Sequence, residues 1–384
     1  MTEDIKNIKK KLAIVILAYA DYESLELALA THSKFSVNYG VPIFILQNGR
    51  GTYDCERTYA VAKRYQQLFP KVIKVIDDIK PGIPYYSLKT LFNSEKFDEY
   101  DYIIKLDDDV LVLTDNWIDK LCTCYVLSKK KFGQELAYVT SLVNNNPYGF
   151  KKIIEYSNEL STEYFLHVAR EHVVGPKQNR IISKNMVESG ANGTIWGYPY
   201  IARWLHTKTT MKPIEYIQFS QDLTYEEVNN NERYSINCML FEKCFWEDIY
   251  NGENDDEHMC HVYCATLNKK IIADLSIPMV HLFFFSQRTE CKDMLDSIKN
   301  IYINFLKLNF PITICADRLI ELENRLRFLE TSNKIDNVMI KDLPYPSKKI
   351  IKWLINLHNC DFKHKFSHRI KRYLKKIIGK IEVF

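Results

Sequence analysis

Apolar runs alternate with amphipathic stretches over residues 12–143. The first run, LAIVILAY at 12–19, is almost uninterrupted, which is typical of a strand buried on both faces of a parallel sheet. Apolar residues at helical spacing follow, and Asp21 is placed to cap that helix. Similar runs predict further strands at 42–47, 71–76, 102–106 and 136–143. The alternation predicts an α/β fold, a Rossmann-like, mostly parallel central sheet flanked by helices, with ligands beyond the carboxyl ends of the strands.

The pattern changes after the fifth predicted strand. Residues 147–235 are polar and rich in Asn and Tyr and show no clean alternation of strands and helices. We interpret them as inserted loops, which often carry binding specificity. From 235 a strand-like run, an acidic turn, a helix and the apolar run IPMVHLFFF follow one another. Residues 291–331 have the spacing of two amphipathic helices.

Composition and charge narrow the class of protein. The 384 residues are 46% apolar and 26% charged, as in a globular protein, and a net charge of +4 gives no reason to expect a nucleic-acid partner. The ten cysteines form no CxxC pair, so we expect reduced thiols in a reducing compartment. Lysines precede the first apolar run, but the run is short for a signal peptide and no cleavage site clearly follows it. No run approaches the ~20 apolar residues of a membrane span. We therefore expect a cytoplasmic protein.

An acidic cluster follows the fourth predicted strand, in the string YDYIIKLDDDVLVL. Clustered carboxylates repel one another unless a cation neutralises them, and Mg²⁺ or Mn²⁺ prefers carboxylate oxygens. In an extended segment Asp107 and Asp109 point the same way, and Asp108 faces elsewhere. The pattern predicts a metal site that bridges the two phosphates of a nucleotide diphosphate. The alternative is a solvated turn of capping aspartates, but the position at a strand's carboxyl end favours the metal.

Three segments together resemble a family 2 glycosyltransferase of the GT-A fold: LAIVILAYADYESLELAL, FILQNGRGTYD and YIIKLDDDVLV. The resemblance covers about residues 11–143 and 235–288. It implies a GT-A domain at 1–290, with a donor half at about 11–143 and an acceptor half at about 144–290. A helical extension at 291–362 and a tail at 363–384 follow. It also implies an inverting, metal-dependent transfer of a sugar from a nucleotide-sugar donor to a glycan or lipid-linked saccharide, as in surface polysaccharide or glycoconjugate biosynthesis.

The resemblance assigns roles to a second acidic cluster, NGENDDEH at 251–258. Asp255 and Asp256 fall on the family's acidic pair, and we expect Asp256 to be the general base, with Asp255 and Glu257 as alternates. Ordinary capping of a helix by an acidic turn is the other interpretation. His281 falls on a position where family members commonly carry a metal-binding histidine, although a lone histidine in an apolar strand is more often a core residue.

The resemblance also places the donor. Tyr19 is expected against the nucleotide base and Arg288 at the diphosphate, and Asp107 and Asp108 are assigned to donor binding as well. Many family members bind uracil through an aspartate after the second strand, where this chain has Gln47 and Asn48. Asn48 can still bond a base edge. UDP stays the favoured nucleotide, and Asp78 (or its neighbour Asp77) is a substitute for the missing carboxylate.

The C-terminal tail is strongly basic. Residues 363–380 contain eight Lys or Arg and no acid, and their apolar residues recur at helical spacing. Such a helix suits an anionic membrane surface, at about 1 kcal/mol per basic residue. The alternative is a solvated helix packed on the body, and nucleic acid is a weaker option. Membrane binding would place the protein peripherally on the inner face of the cell membrane, close to a lipid-linked acceptor.

Other functions fit the sequence less well. A sugar-phosphate nucleotidyltransferase requires a Gly-rich loop after its first strand, and AYADYES has no glycine. A phosphohydrolase with an Asp-x-Asp nucleophile usually carries that motif near its N-terminus, but here three predicted strands precede it. A non-catalytic sugar- or membrane-binding module leaves two acidic clusters unexplained.

Overall fold

The apolar runs of the N-terminal half form four neighbouring parallel strands on one side of a mixed sheet. Those strands are β1 (Leu12–Ala18), β2 (Ile43–Gln47), β3 (Ile73–Ile76) and β4 (Tyr102–Asp107), and they lie in the order β3-β2-β1-β4. The register places Leu17 beside Leu46 on one side and beside Asp107 on the other. The carboxyl ends of β1, β2 and β4 therefore meet at one edge of the sheet.

The rest of the sheet continues from β4. Next to β4 come β8 (Cys238–Glu242), β6 (Leu136–Val143), β9 (Lys270–His281) and β5 (Val110–Val112), while β7 (Tyr225–Glu227) also pairs with β9. β8 is antiparallel to both of its neighbours, β6 is parallel to β9, and β5 and β7 are antiparallel to β9. Most strands thus run in the direction of β1.

Helices flank this sheet. They are α1 (Thr2–Lys10), α2 (Tyr22–Phe35), α3 (Tyr53–Leu68), α4 (Pro84–Phe92), α5 (Trp117–Phe132), α6 (Pro147–Tyr156), α7 (Asn158–Glu163), α8 (Pro199–Lys208), α9 (Pro213–Ser220), α10 (Phe245–Asp248), α11 (Asp256–Thr266) and α12 (Met294–Leu306). Asp21 caps α2 as predicted, since its carboxylate accepts from Ser24 N at 3.3 Å and from Ser24 Oγ at 2.9 Å. α12 packs on α2, where Lys299 pairs with Glu23 at 2.8 Å.

The computed structural model describes residues 2–168, 195, 199–229, 236–282, 291 and 293–307, which lie in a unit spanning Met1–Asp317. A second unit, Arg318–Phe384, lies outside the described residues, as do Arg288 and the predicted tail at 363–384. The division into domains stays a prediction. Within the described part of the chain, each helix is too short or too polar to cross a membrane.

The predicted α/β class with a mostly parallel sheet is confirmed. Each of the five predicted strands is present, with ends that differ from the prediction by two residues at most. The prediction for residues 147–235 was less accurate, because the described part of that segment is mainly helical. Its first helix is buried around most of its circumference, including Tyr148, Phe150, Ile153 and Ile154, although polar residues surround them in the sequence.

Candidate metal centre

Two carboxylates and an imidazole converge at the carboxyl edge of the sheet. Asp107 ends β4, Asp109 precedes β5 and His281 ends β9, and one ligand atom from each lies within 4.8 Å of the others. Nε2 of His281 is 3.3 Å from Oδ1 of Asp109. Pairing between β5 and β9 sets this separation, because Val110 is the register partner of His281 and Leu282 N donates to Asp109 O at 3.1 Å.

Asp107 is oriented by two buried donors. Lys105 Nζ lies 2.5 Å from Oδ1 of Asp107, and Asn237 Nδ2 lies 2.8 Å from Oδ2. Lys105 is only 2% exposed and also donates to Ile236 O at 3.0 Å. Burial by itself would raise the pKa of Asp107, but Lys105 and His281 hold that pKa below its usual value. Asp107 is therefore an anion with a fixed direction.

The orientation of His281 follows from its hydrogen bonds. Nδ1 lies 3.0 Å from the carbonyl oxygen of Asn145, which can only accept, so Nδ1 carries a hydrogen and Nε2 faces the carboxylates. Burial by itself would lower the pKa of His281, but Asp109 and Asp107 raise it to about 9. A divalent cation at this place would take the position of the Nε2 proton.

Asp108 points to another partner, as predicted, although it lies in the turn between β4 and β5 and not in an extended segment. Its Oδ2 accepts from Tyr19 N at 2.9 Å, which ties the end of β4 to the end of β1. Burial, together with the carboxylates of Asp109 and Asp21, raises the pKa of Asp108 well above its usual value. The side chain of Tyr19 is 52% exposed, so its ring lies open to solvent beside the acidic cluster.

The residues after β2 and β3 are engaged in local contacts. The amide of Asn48 donates to Gly82 O at 2.9 Å and accepts from Gly82 N at 3.1 Å and from Ser87 Oγ at 2.7 Å. Asn48 thus fixes the loop that leads into α4, and its contact with a base stays a prediction. Asp78 forms an exposed ion pair with Lys96 at 2.5 Å, so its role in donor binding also stays a prediction.

The two aspartates at the start of α11 are used differently. Asp255 is exposed and caps the helix, since its Oδ1 accepts from His258 N at 3.0 Å. Asp256 is half-buried and interacts electrostatically with Lys105 and with the metal-cluster residue Asp107. Burial raises the pKa of Asp256, while the charge of Lys105 opposes that rise. Arg288, the remaining predicted site residue, lies outside the described residues.

Four residues of the site were missed in the sequence: Lys105, Asn237, Asn145 and His206. A signal existed for Lys105, because a lysine inside the apolar run YIIKL requires a buried anion nearby. The others are recognisable only after folding. His206, for example, is fully buried at 3.3 Å from Asn145 Nδ2, and burial lowers its pKa to about 4, so its ring is neutral.

Solved structures with a distantly similar fold include a mannosyltransferase and TarS. The mannosyltransferase PcManGT from Pyrobaculum calidifontis, in complex with GDP-Man and Mn²⁺, is 9% identical with a TM-score of 0.41, covering 91% of this chain and 81% of that one. S. aureus TarS is 10% identical with a TM-score of 0.36, covering 77% of this chain and 43% of that one. This chain therefore spans less than half the length of TarS. No family model matches the sequence, and no curated protein matches it.

The class of the protein follows from its own fold and site. It is an α/β protein with a mostly parallel sheet and a candidate divalent-metal centre of Asp107, Asp109 and His281 at the carboxyl edge.

Proposed function

We propose that this protein is a metal-dependent glycosyltransferase that moves a sugar from a nucleotide-sugar donor to a saccharide or lipid-linked acceptor. One observation carries the proposal: Asp107, Asp109 and His281 offer ligand atoms within 4.8 Å of one another, and half-buried Asp256 interacts electrostatically with Asp107. A cation held by the first three is suited to a diphosphate, and the neighbouring carboxylate is suited to a proton. Membership of family 2 and inversion at the sugar rest on the sequence resemblance.

The donor atoms fit Mn²⁺ or Mg²⁺. Carboxylate oxygens suit both ions, and the imidazole of His281 favours Mn²⁺, because Mg²⁺ demands oxygen ligands more strictly. When bound, the cation supplies positive charge to the diphosphate oxygens and so stabilises the leaving group. Lys105 and Asn237 hold the Asp107 carboxylate in place for this task.

Asp256 is the proposed general base. Its carboxylate takes the proton of an acceptor hydroxyl while that oxygen attacks the anomeric carbon. The bond between this carbon and the diphosphate oxygen breaks in the same step, and the nucleoside diphosphate leaves with the electron pair. A pKa raised by burial brings this carboxylate closer to working pH and makes it a stronger base than an ordinary aspartate. Asp255 keeps α11 in place by capping it.

Two exposed tyrosines mark a place for the acceptor. The hydroxyls of Tyr86 and Tyr250 are 3.1 Å apart, and the Tyr250 ring stacks on buried Tyr85 with centroids 5.4 Å apart and planes 17° apart. Tyr250 directly precedes the acidic loop that leads to Asp256. Fixed aromatic faces with hydroxyl groups are suited to the mixed apolar and polar surface of a sugar ring. We place the acceptor sugar against Tyr250.

The donor side is less defined. The exposed ring of Tyr19 is proposed to contact the nucleotide base, with UDP favoured. Attachment of the tail at 363–384 to an anionic membrane, and a cytoplasmic location, are proposed from the sequence alone.

The test is release of nucleotide from a panel of UDP- and GDP-sugars, with Mn²⁺ or with EDTA. We expect slow, metal-dependent release from one donor, and its loss in Asp109→Ala. Asp101→Ala is the matched control, because this aspartate forms a surface ion pair with Lys11. If wild-type protein neither binds nor hydrolyses any donor in Mn²⁺, the proposed enzyme is wrong.

A further inference from the structure

We infer that Asn144, Asn145 and His206 are positioning residues that aim Nε2 of His281 at the metal. The inference rests on the metal site of the proposed function, and it adds residues that hold the histidine of that site. It starts from the run Asn144–Asn145–Asn146, which follows β6 and is buried despite its polarity, at 0%, 0% and 5% exposure. Buried amides must find partners, and these partners show what the run does.

Asn144 holds the main chain of the metal ligand. Its Oδ1 accepts from His281 N at 2.9 Å, and its Nδ2 donates to Thr209 Oγ1 at 2.7 Å and Thr210 Oγ1 at 3.1 Å. Because both ends of the amide are bonded, the side chain has one orientation. The backbone at the end of β9 is therefore tied to the segment that follows α8.

Asn145 holds the ring and the next residue. Its main-chain carbonyl oxygen lies 3.0 Å from His281 Nδ1. Its side-chain Nδ2 donates to Leu282 O at 3.2 Å. The same Nδ2 lies 3.3 Å from Nε2 of His206. His281 is thus gripped at its backbone by one asparagine and at its ring by the other.

His206, on α8, is the third of the positioning residues and links Asn145 to Thr210. An amide NH₂ donates to Nε2 of His206, so its Nδ1 carries the hydrogen and donates to Thr210 Oγ1 at 2.7 Å. Thr210 in turn accepts from Asn144. The bonds run from Thr210 to the Asn144 amide and, through His206, to the Asn145 amide, and these two amides hold the main chain at His281 and Leu282. The main-chain carbonyl of Asn145, held in place with them, fixes which ring nitrogen of His281 faces the carboxylates. Such outer contacts set the direction and basicity of a metal-binding histidine.

Asn146 is a natural control. It is the third asparagine of the run and equally a buried amide, but its Oδ1 caps α6 by accepting from Gly149 N at 2.6 Å. A purely structural role for the run predicts that Asn144→Ala and Asn146→Ala behave alike. A positioning role predicts that they differ in metal binding and agree in stability.

The experiment measures Mn²⁺ binding to the full chain without donor. Free Mn²⁺ is counted by electron paramagnetic resonance, nitrogen hyperfine coupling to bound Mn²⁺ is recorded, and the melting temperature is measured beside them. We expect Asn144→Ala to weaken Mn²⁺ binding about tenfold and to reduce the nitrogen coupling. Asn146→Ala should lower the melting temperature but leave both metal readouts unchanged.

Two milder substitutions at Thr210 keep the test decisive if Asn144→Ala fails to fold. Thr210→Val should weaken Mn²⁺ binding, and Thr210→Ser, which retains the hydroxyl, should restore it. Equal Mn²⁺ affinity in Asn144→Ala and Asn146→Ala, or in Thr210→Val and wild type, overturns the inference and leaves the proposed function standing. If wild type binds no Mn²⁺, or binds it equally well after His281→Ala, the metal site of the proposed function is wrong instead.

Discussion

Replacing Asp256 should reduce the rate of catalysis, whereas replacing Asp255 should reduce the stability of the folded protein. Asp256→Asn keeps the shape of the side chain but removes the proton acceptor, and loss of a general base costs about 10²–10⁴ in kcat, or about 3–5 kcal/mol of transition-state stabilisation. The folded state is expected to become more stable. Because burial raises the pKa of Asp256, its ionised form destabilises the folded protein at neutral pH, and Asn removes that charge. This gain should vanish below about pH 4, where the carboxyl is protonated in both states.

Asp255→Ala is expected to do the opposite. It removes the bond from His258 N, 3.0 Å long, and a lost helix cap costs about 1 kcal/mol of unfolding free energy. The value of kcat should change less than threefold, an order of magnitude below the smallest effect expected for a lost base. Asp255→Asn, which also caps helices, should recover the stability.

Initial rates of transfer, donor binding by calorimetry and urea unfolding at pH 7 measure these effects. Donor affinity should be unchanged in Asp256→Asn, since the residue acts on the acceptor. The assignment of roles is refuted if Asp255→Ala abolishes transfer while Asp256→Asn retains it. Loss of donor binding in Asp256→Asn would also count against a base.

Three further predictions concern pH, packing and the acceptor. Burial lowers the pKa of His32 to about 3, so between pH 6.5 and pH 3 the unfolded chain binds a proton that the folded protein does not. Stability should therefore fall by about 2 kcal/mol from pH 7 to pH 5, measured by urea unfolding, and His32→Gln should lack that contribution. Gly149→Ala should cost about 3 kcal/mol by thermal unfolding, because a Cβ there would lie 1.7 Å from Val143 O. Tyr250→Ala should raise the acceptor KM up to about tenfold with kcat nearly unchanged, measured by transfer kinetics, since one aromatic contact contributes about 1 kcal/mol.

Each of these predictions has a clear contrary result. An identical pH dependence in wild type and His32→Gln would contradict the burial argument. A fully stable Gly149→Ala would show that the turn before α6 can move without cost. An unchanged acceptor KM in Tyr250→Ala, with Tyr86→Ala measured as a companion, would place the acceptor elsewhere.

The strands were predictable because burial on both faces leaves a continuous apolar run, as in β1 and β6. α1 was not, because its residues Thr2–Lys10 are mostly charged and the helix depends on tertiary partners. Lys9 pairs with Asp119 at 2.8 Å, and Lys130 pairs with Asp4 at 3.0 Å, both across to α5. A helix of nine residues is only marginally stable without such tertiary partners, so its sequence alone gives little reason to expect it.

The candidate site was predictable only in part. The alternation of an extended segment predicts that Asp107 and Asp109 point together. Their side chains do lie together, but a turn at residues 108 and 109, and not strand alternation, brings them there. The resemblance to a family, and not a local pattern, pointed to His281. Its distance from Asp109 depends on the pairing of β5 with β9, two strands that lie far apart in the chain. The lysine inside the run YIIKL was a signal for Lys105, but the contact of Asn237 with Asp107 is encoded by no spacing in the sequence.

The irregular middle of β9 controls where its histidine points. Between the partners of Ser141 and Leu142, three additional residues (275–277) enter β9, and Asp274 Oδ1 holds them by accepting from Ser276 N at 3.0 Å and Ser276 Oγ at 2.7 Å. Side chains of a strand alternate between faces, so a slip of one position would turn the imidazole to the opposite side of the sheet. An insertion or deletion of an odd number of residues at this bulge would consequently abolish metal binding, and one of an even number would leave His281 on the same face. Substitutions that preserve the length of the bulge would change only the strength of binding.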